Sequence, residues 1–196
     1  MGAAAVVEVG TRGTGRVVRA AAALAMAAGL LAAPAAAGAA DAEAASCATA
    51  WGSTPEGTLG IAPGQVTSVR SGRHACFDRV VVDVRGRSGG FYVRYVDAVT
   101  QDGSGDPVPL RGGARLLVVV GAPSYDDDYR PTYAPADATE LVDTRGARTL
   151  RQVASAGSFE GQTTLGIGVR ARLPFRTSTI SDGRTTRLVV DVAHRW

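Results

Sequence analysis

After residue 64, apolar positions recur with a period of two in short runs separated by Gly, Pro, Asp and Ser. Asp78 to Arg85 sets Val80, Val82 and Val84 on one side of an extended chain and Arg79, Val81, Asp83 and Arg85 on the other. Phe91 to Asp97 repeats the pattern, with Phe91, Val93 and Tyr95 opposite Tyr92, Arg94 and Val96. Gln65 to Arg70, Thr177 to Ile180 and Arg187 to Val192 also read as strands, the last two joined by the turn Ser181-Asp182-Gly183. Arg115 to Gly121 is a continuous apolar run, which predicts a strand buried on both faces. Gln162 to Leu173 is strand-like, and Pro174 puts the next stretch near a bulge or an edge. Thr149 to Ala156 fits a strand or a short helical turn equally well. One phrase occurs twice: Arg79-Val80-Val81-Val82-Asp83-Val84 is echoed by Arg187-Leu188-Val189-Val190-Asp191-Val192. No amphipathic helical period lasts beyond two turns. Many short strands with polar turns predict an all-β domain, a β-sandwich or open barrel built around this pseudo-repeat.

The chain ahead of these strands has a different character. Arg12, Arg16 and Arg19 precede the uninterrupted apolar stretch Ala20 to Ala33; Pro34 breaks it and small residues follow to Ala40. That order is expected of a secretory signal peptide over residues 1–40, cleaved after Ala37 or Ala40. The stretch is too short for a comfortable membrane span, which takes about 20 residues. Residues 41–64 are polar, punctuated by Gly and Pro, and predict an irregular N-terminal arm before a β-domain over 65–196. The two cysteines, Cys47 and Cys76, are an even pair in an exported chain and are expected to form a disulfide.

Charge excludes more than it suggests. Without residues 1–40 the chain holds 18 Arg against 17 Asp and Glu, with no Lys anywhere, so no basic footprint for nucleic acid is present. Catalysis finds little support. No Gly-x-Ser-x-Gly elbow occurs, and the two histidines, His74 and His194, lie in contexts that read as structural. A zinc set of His74, His194 and Glu160 can be written down, but no spacing favours it. Asp102, Ser104 and Asp106 are spaced like the first ligands of a calcium loop, yet Pro107 occupies the sixth place, and an Asp-capped turn accounts for them. No metal and no cofactor are therefore expected. The loop Ala122 to Ala138 is rich in Pro, Tyr and Asp, and its acidic run Asp126 to Asp128, beside Tyr125 and Tyr129, suits a cation or a partner.

Binding residues are easier to nominate. Tyr92 and Arg94 share one strand face, Arg170 and Arg172 supply forked donors for carboxylates, and Asp83 and Asp191 lie on the polar faces of their strands. Aligned, these six would form one ligand-binding surface of Arg, Asp and Tyr. Trp51, Tyr95 and Trp196 add aromatic area.

From Cys47 to Trp196 the chain resembles the AMIN-like domain proteins of high-GC Gram-positive bacteria. The resemblance is carried by Thr49-Ala50-Trp51-Gly52-Ser53, His74-Ala75-Cys76-Phe77-Asp78-Arg79-Val80-Val81-Val82-Asp83 and Tyr92-Val93-Arg94-Tyr95-Val96. It continues in Asp102-Gly103-Ser104-Gly105, Phe159-Glu160-Gly161, Gly166-Ile167-Gly168-Val169-Arg170, Leu173-Pro174-Phe175-Arg176 and the ending Val190-Asp191-Val192-Ala193-His194-Arg195-Trp196. The parent AMIN domain is a β-sandwich in front of cell-wall amidases and in secretin-type envelope proteins, where it localises the protein by binding peptidoglycan. The resemblance thus implies a non-catalytic, extracytoplasmic module that recognises peptidoglycan or another wall polymer. The alternative is an exported protein-interaction module docking through the 122–138 loop or a sheet edge.

Overall fold

A computed structural model describes Cys47 and residues 49–196. The expected signal peptide, residues 1–40, lies outside these described residues. No helix occurs among them, and ten strands account for the regular structure. They are β1 (Gln65–Arg73), β2 (Phe77–Arg85), β3 (Phe91–Val96), β4 (Val99–Thr100), β5 (Pro107–Val108), β6 (Ala114–Val120), β7 (Leu150–Phe159), β8 (Gln162–Val169), β9 (Phe175–Ser181) and β10 (Thr185–Ala193). Two antiparallel four-stranded sheets form, in the orders β1-β2-β10-β9 and β3-β6-β8-β7, with a small ribbon of β4 and β5. The fold is a β-sandwich and not a closed barrel.

The repeated phrase explains the centre of the first sheet. β2 and β10 pair antiparallel, so each copy's Arg lies opposite the other copy's Asp: Arg79 faces Asp191 and Asp83 faces Arg187. Val81 faces Val189 between them. The alternate positions, Val80, Val82 and Val84 on β2 and Leu188, Val190 and Val192 on β10, point inward. They meet Val93 of β3, Leu116, Val118 and Val120 of β6, Leu165, Ile167 and Val169 of β8, and Leu150 and Val153 of β7 in one core. Each such side chain contributes about 1.5–3 kcal/mol when fully withdrawn from water.

Several sequence expectations are refined here. Residues 150–156 resolve as strand: β7 starts at Leu150 and runs on to Phe159, with a register shift between Ser155 and Ser158. The run expected to be buried on both faces alternates instead, because Leu117 and Val119 on the outer face of β6 are only half covered. Part of that outer face carries a satellite cluster, in which Val99, Val108 and Leu110 of the ribbon region pack on Ala154 and Ala156. Gly168 makes room for this layer, since a Cβ there would lie 2.1 Å from the Arg111 carbonyl oxygen.

The irregular segments close the two open sides of the sandwich. The N-terminal arm joins the β9 and β3 edges. Phe175 donates its amide to the Gly52 carbonyl, Thr177 donates amide and hydroxyl to the Glu56 carboxylate, and Glu56 pairs with Val93 through its backbone. A disulfide between Cys47 and Cys76, Cα atoms 5.0 Å apart, ties the start of the arm to the turn before β2. On the other side the 122–142 segment spans β1 and β7. Val66 donates to the Pro123 carbonyl, Thr132 to the Val66 carbonyl, Ser155 to the Ala138 carbonyl and Leu141 to the Val153 carbonyl. The long loop is thus tied down along its length by backbone pairing, which a purely flexible connection would lack.

Candidate functional site

The two outer faces of the sandwich differ in how their charges are used. On the first sheet Asp191 is 2 % exposed and gripped from both sides: Arg79 donates to both its oxygens at 2.6 and 2.9 Å, and Arg176 donates at 3.0 Å. Asp83 takes two hydrogen bonds from Arg70, at 2.9 and 3.3 Å, and an ion pair from Arg187 at 3.4 Å. The guanidinium of Arg176 also lies 4.2 Å over Trp51, and Arg79 lies 5.2 Å from the Phe77 ring, whose far neighbour is His74, stacked at 4.4 Å. This face is an internally neutralised lattice in which each cross-strand acid has its own arginines.

On the second sheet the arginines are less occupied. Val96 pairs directly with Arg115, so Arg115 shares the outer face with Arg94, its diagonal neighbour across β3 and β6. Where β3 leaves the sheet, an open cleft of about 610 Å³ is lined by Arg94, Arg115, Arg172, Tyr95 and Asp97. Arg172 reaches it from the β8–β9 connection and is held in place. Its Nε donates to the Ser53 hydroxyl at 3.1 Å, its Nη2 to the Ser53 carbonyl at 2.9 Å, and the guanidinium sits 4.9 Å over the Tyr95 ring. Tyr95 is itself fixed, donating to the Leu173 carbonyl at 2.8 Å and accepting from the Leu173 amide at 2.9 Å. Burial pushes its phenol up, partly offset by that backbone bond and by the Arg172 charge. Arg94 and Arg115 have no hydrogen-bond or ion-pair partner among the described residues. Three guanidiniums and one carboxylate leave the cleft with a net positive charge suited to carboxylate or phosphate groups.

The six expected binding residues therefore separate. Arg94 and Arg172 meet in the cleft, and Tyr92 stands on the same outer face as Arg94. Asp83 and Asp191 lie on the opposite outer face of the molecule. Arg170 is committed elsewhere, donating to the His194 carbonyl at 2.7 Å. The single aligned surface does not form, because strand parity fixes which face of its own sheet a residue takes and says nothing of which sheet that is. Arg115 escaped the sequence reading because it opens an apolar run, although its parity with Leu117 and Val119 already placed it outward.

A second polar assembly is buried. Asp78 is fully covered; its Oδ2 accepts the amides of Thr149 at 2.5 Å and Leu150 at 3.1 Å. Its Oδ1 meets His194 Nε2 at 3.1 Å, and His194 Nδ1 meets the Ala75 carbonyl at 3.1 Å. All four contacts are hydrogen bonds when the pair together holds two protons, since both ring nitrogens face acceptors. The assembly ties the starts of β2 and β7 to the end of β10. His74 points away from it, onto Phe77, and Glu160 lies on the β7–β8 turn, so the paper zinc set is dispersed.

A family model described as the AMIN-like domain matches residues 64–194, most of the chain. The chain belongs to the AMIN-like family. AMIN-like domains are non-catalytic modules associated with the cell wall. This membership and the Cys47–Cys76 disulfide are consistent with an extracytoplasmic location. No curated protein and no solved structure matches the chain. Among the described residues no helix is long and apolar enough to cross a membrane.

Proposed function

We propose that this AMIN-like chain, exported behind residues 1–40, is a non-catalytic envelope module that binds peptidoglycan or another wall polymer through the arginine cleft. One observation supports this reading above the rest: Arg94 and Arg115, with no partner among the described residues, present their guanidiniums in a cleft where Arg172 is already fixed by Ser53 and Tyr95. A fixed donor loses little freedom on binding, and forked donors suit the carboxylates of peptide stems. Tyr92 borders the same face and supplies aromatic surface. Asp83, Asp191 and Arg170 serve the scaffold in this reading.

Co-sedimentation with isolated cell walls tests it. The chain is expected to pellet with walls at physiological salt. Arg94→Ala and Arg115→Ala should each weaken binding about fivefold, the loss of one solvent-exposed ion pair of about 1 kcal/mol. Unchanged pelleting of the double variant would move the site elsewhere. A second reading, an exported protein-interaction module, is favoured by the bare tyrosine at the tip of the 122–138 loop. Tyr129 is 81 % exposed.

A further inference from the structure

The β7–β8 turn and the 122–138 loop meet at the end of the second sheet away from the arginine cleft. The Gly161 amide lies 3.4 Å from the Tyr125 hydroxyl. The Tyr125 ring stacks on Tyr129 at 5.6 Å and 21°, which leaves the other face of Tyr129 open to solvent. Ile61 reaches the same turn: a Cβ built on Gly161 would lie 3.4 Å from its Cγ2. Phe159, on the flank of the turn, lines a cleft of about 200 Å³ with Asp102, Glu160 and Gln162. Three of the five exposed large apolar side chains among the described residues, Ile61, Tyr129 and Phe159, therefore share this end. A cluster of bare aromatics and aliphatics marks a contact surface.

Its charge is one-sided. Asp126, Asp127 and Asp128 precede Tyr129 in the loop, Asp102 and Glu160 line the cleft beside Phe159, and Arg130 pairs with Asp128. Asp127 and Glu160 have no hydrogen-bond or ion-pair partner among the described residues. The backbone at both key positions is also unfavourable. Tyr129 and Glu160 are the two non-glycine residues with positive φ among those described, at 60° and 49°. Glu160 and Gly161 are the central pair of a two-residue hairpin turn with φ positive at both, where Asn-Gly is preferred. Tyr129 closes a turn in a conformation that glycine adopts freely. The chain keeps a large aromatic and an acid where easier residues exist, and such local conflicts concentrate where a side chain is needed for contact.

We propose that this end docks a basic segment of a partner protein, one that carries arginine or lysine beside apolar side chains. The cation lies over the open face of Tyr129 and between the carboxylates of Asp127 and Glu160, while the apolar neighbours cover Ile61 and Phe159. Complementarity decides the class of partner: a field of unneutralised acids selects a cation and repels an anionic polymer, and a tyrosine face adds cation–π attraction. This rests on the interaction-module reading and is independent of the arginine cleft.

The test uses the full chain and a short fluorescent peptide alternating arginine with leucine, followed by anisotropy. Controls are the same peptide with glutamate for arginine, and an uncharged N-acetylglucosamine oligosaccharide as competitor. Binding of the arginine peptide alone is expected, weakening as salt rises. Tyr129→Gly and Glu160→Asn should each lower its affinity about tenfold, while thermal midpoints hold or rise, because both replacements suit the local backbone. The same variants should still pellet with cell walls, so failure here and failure of the wall reading are distinguishable. The proposal is overturned if the glutamate peptide binds equally or if both variants bind within about twofold of the parent. It is likewise overturned if the oligosaccharide displaces the peptide in a Tyr129-dependent way, an outcome that assigns the surface to a glycan.

Discussion

Replacing Asp78 by alanine removes the acceptor at the centre of the buried assembly. Its Oδ2 serves the Thr149 and Leu150 amides and its Oδ1 serves His194. Truncation leaves two buried N–H groups and a ring nitrogen without this partner. Each stranded group costs about 1–3 kcal/mol. The sum, about 3–9 kcal/mol, overlaps the about 3–5 kcal/mol lost when one partner of a buried salt bridge is removed. That is a large share of a domain stability of about 5–15 kcal/mol. Asparagine separates geometry from charge. Its oxygen can accept both amides, and its NH₂ can donate to His194 Nε2 while Nδ1–H still donates to Ala75. Every bond survives with a neutral ring, so Asp78→Asn should cost only about 1 kcal/mol. Equilibrium unfolding in guanidinium chloride, with m-values compared between variants, reads both numbers. If the two variants lose the same amount, the ion pair matters and the hydrogen-bond count does not. If alanine loses less than about 1 kcal/mol, the assembly does not hold the three strand ends together.

Two further expectations concern the scaffold. Gly168→Ala places a Cβ 2.1 Å from the Arg111 carbonyl oxygen, a backbone group that cannot rotate away. It should destabilise by about 1–3 kcal/mol, the range for overpacking, read as a lower denaturation midpoint, and Gly72→Ala, with open space around its Cβ and no positive φ, should be milder. Asp143 is held down to about 2 from 3.8 chiefly by side-chain hydrogen bonding to Arg145. Its carboxyl resonance should therefore titrate near 2, and Arg145→Ala should return the midpoint toward 3.8. The sign follows from a lowered folded value: whatever the pair contributes is present above pH 3.8 and lost as pH falls through 2. A midpoint unmoved by Arg145→Ala would contradict the assignment.

Much of the scaffold is legible along the chain. Period two fixes the inward valines of β2 and β10. The repeated Arg-to-Asp phrase carries its own pairing once its two copies run antiparallel. The only two cysteines leave a single intramolecular bridge. Asp78 also carries a signal in the sequence: it shares parity with Val80, Val82 and Val84, and an acid on a core face demands buried partners. The candidate cleft was not legible in the same way. Arg94 and Arg172 are 78 residues apart, and Arg115 belongs to a third element. Alternation is set by each strand's own backbone, so the sequence alone determines which side of its sheet a residue takes. Which sheet it joins, and which loop ends beside it, depend on packing between segments distant in the chain. Only the tertiary structure could send Asp83 and Asp191 to one outer face, Tyr92 and Arg94 to the other, and Tyr125 to the side of Gly161.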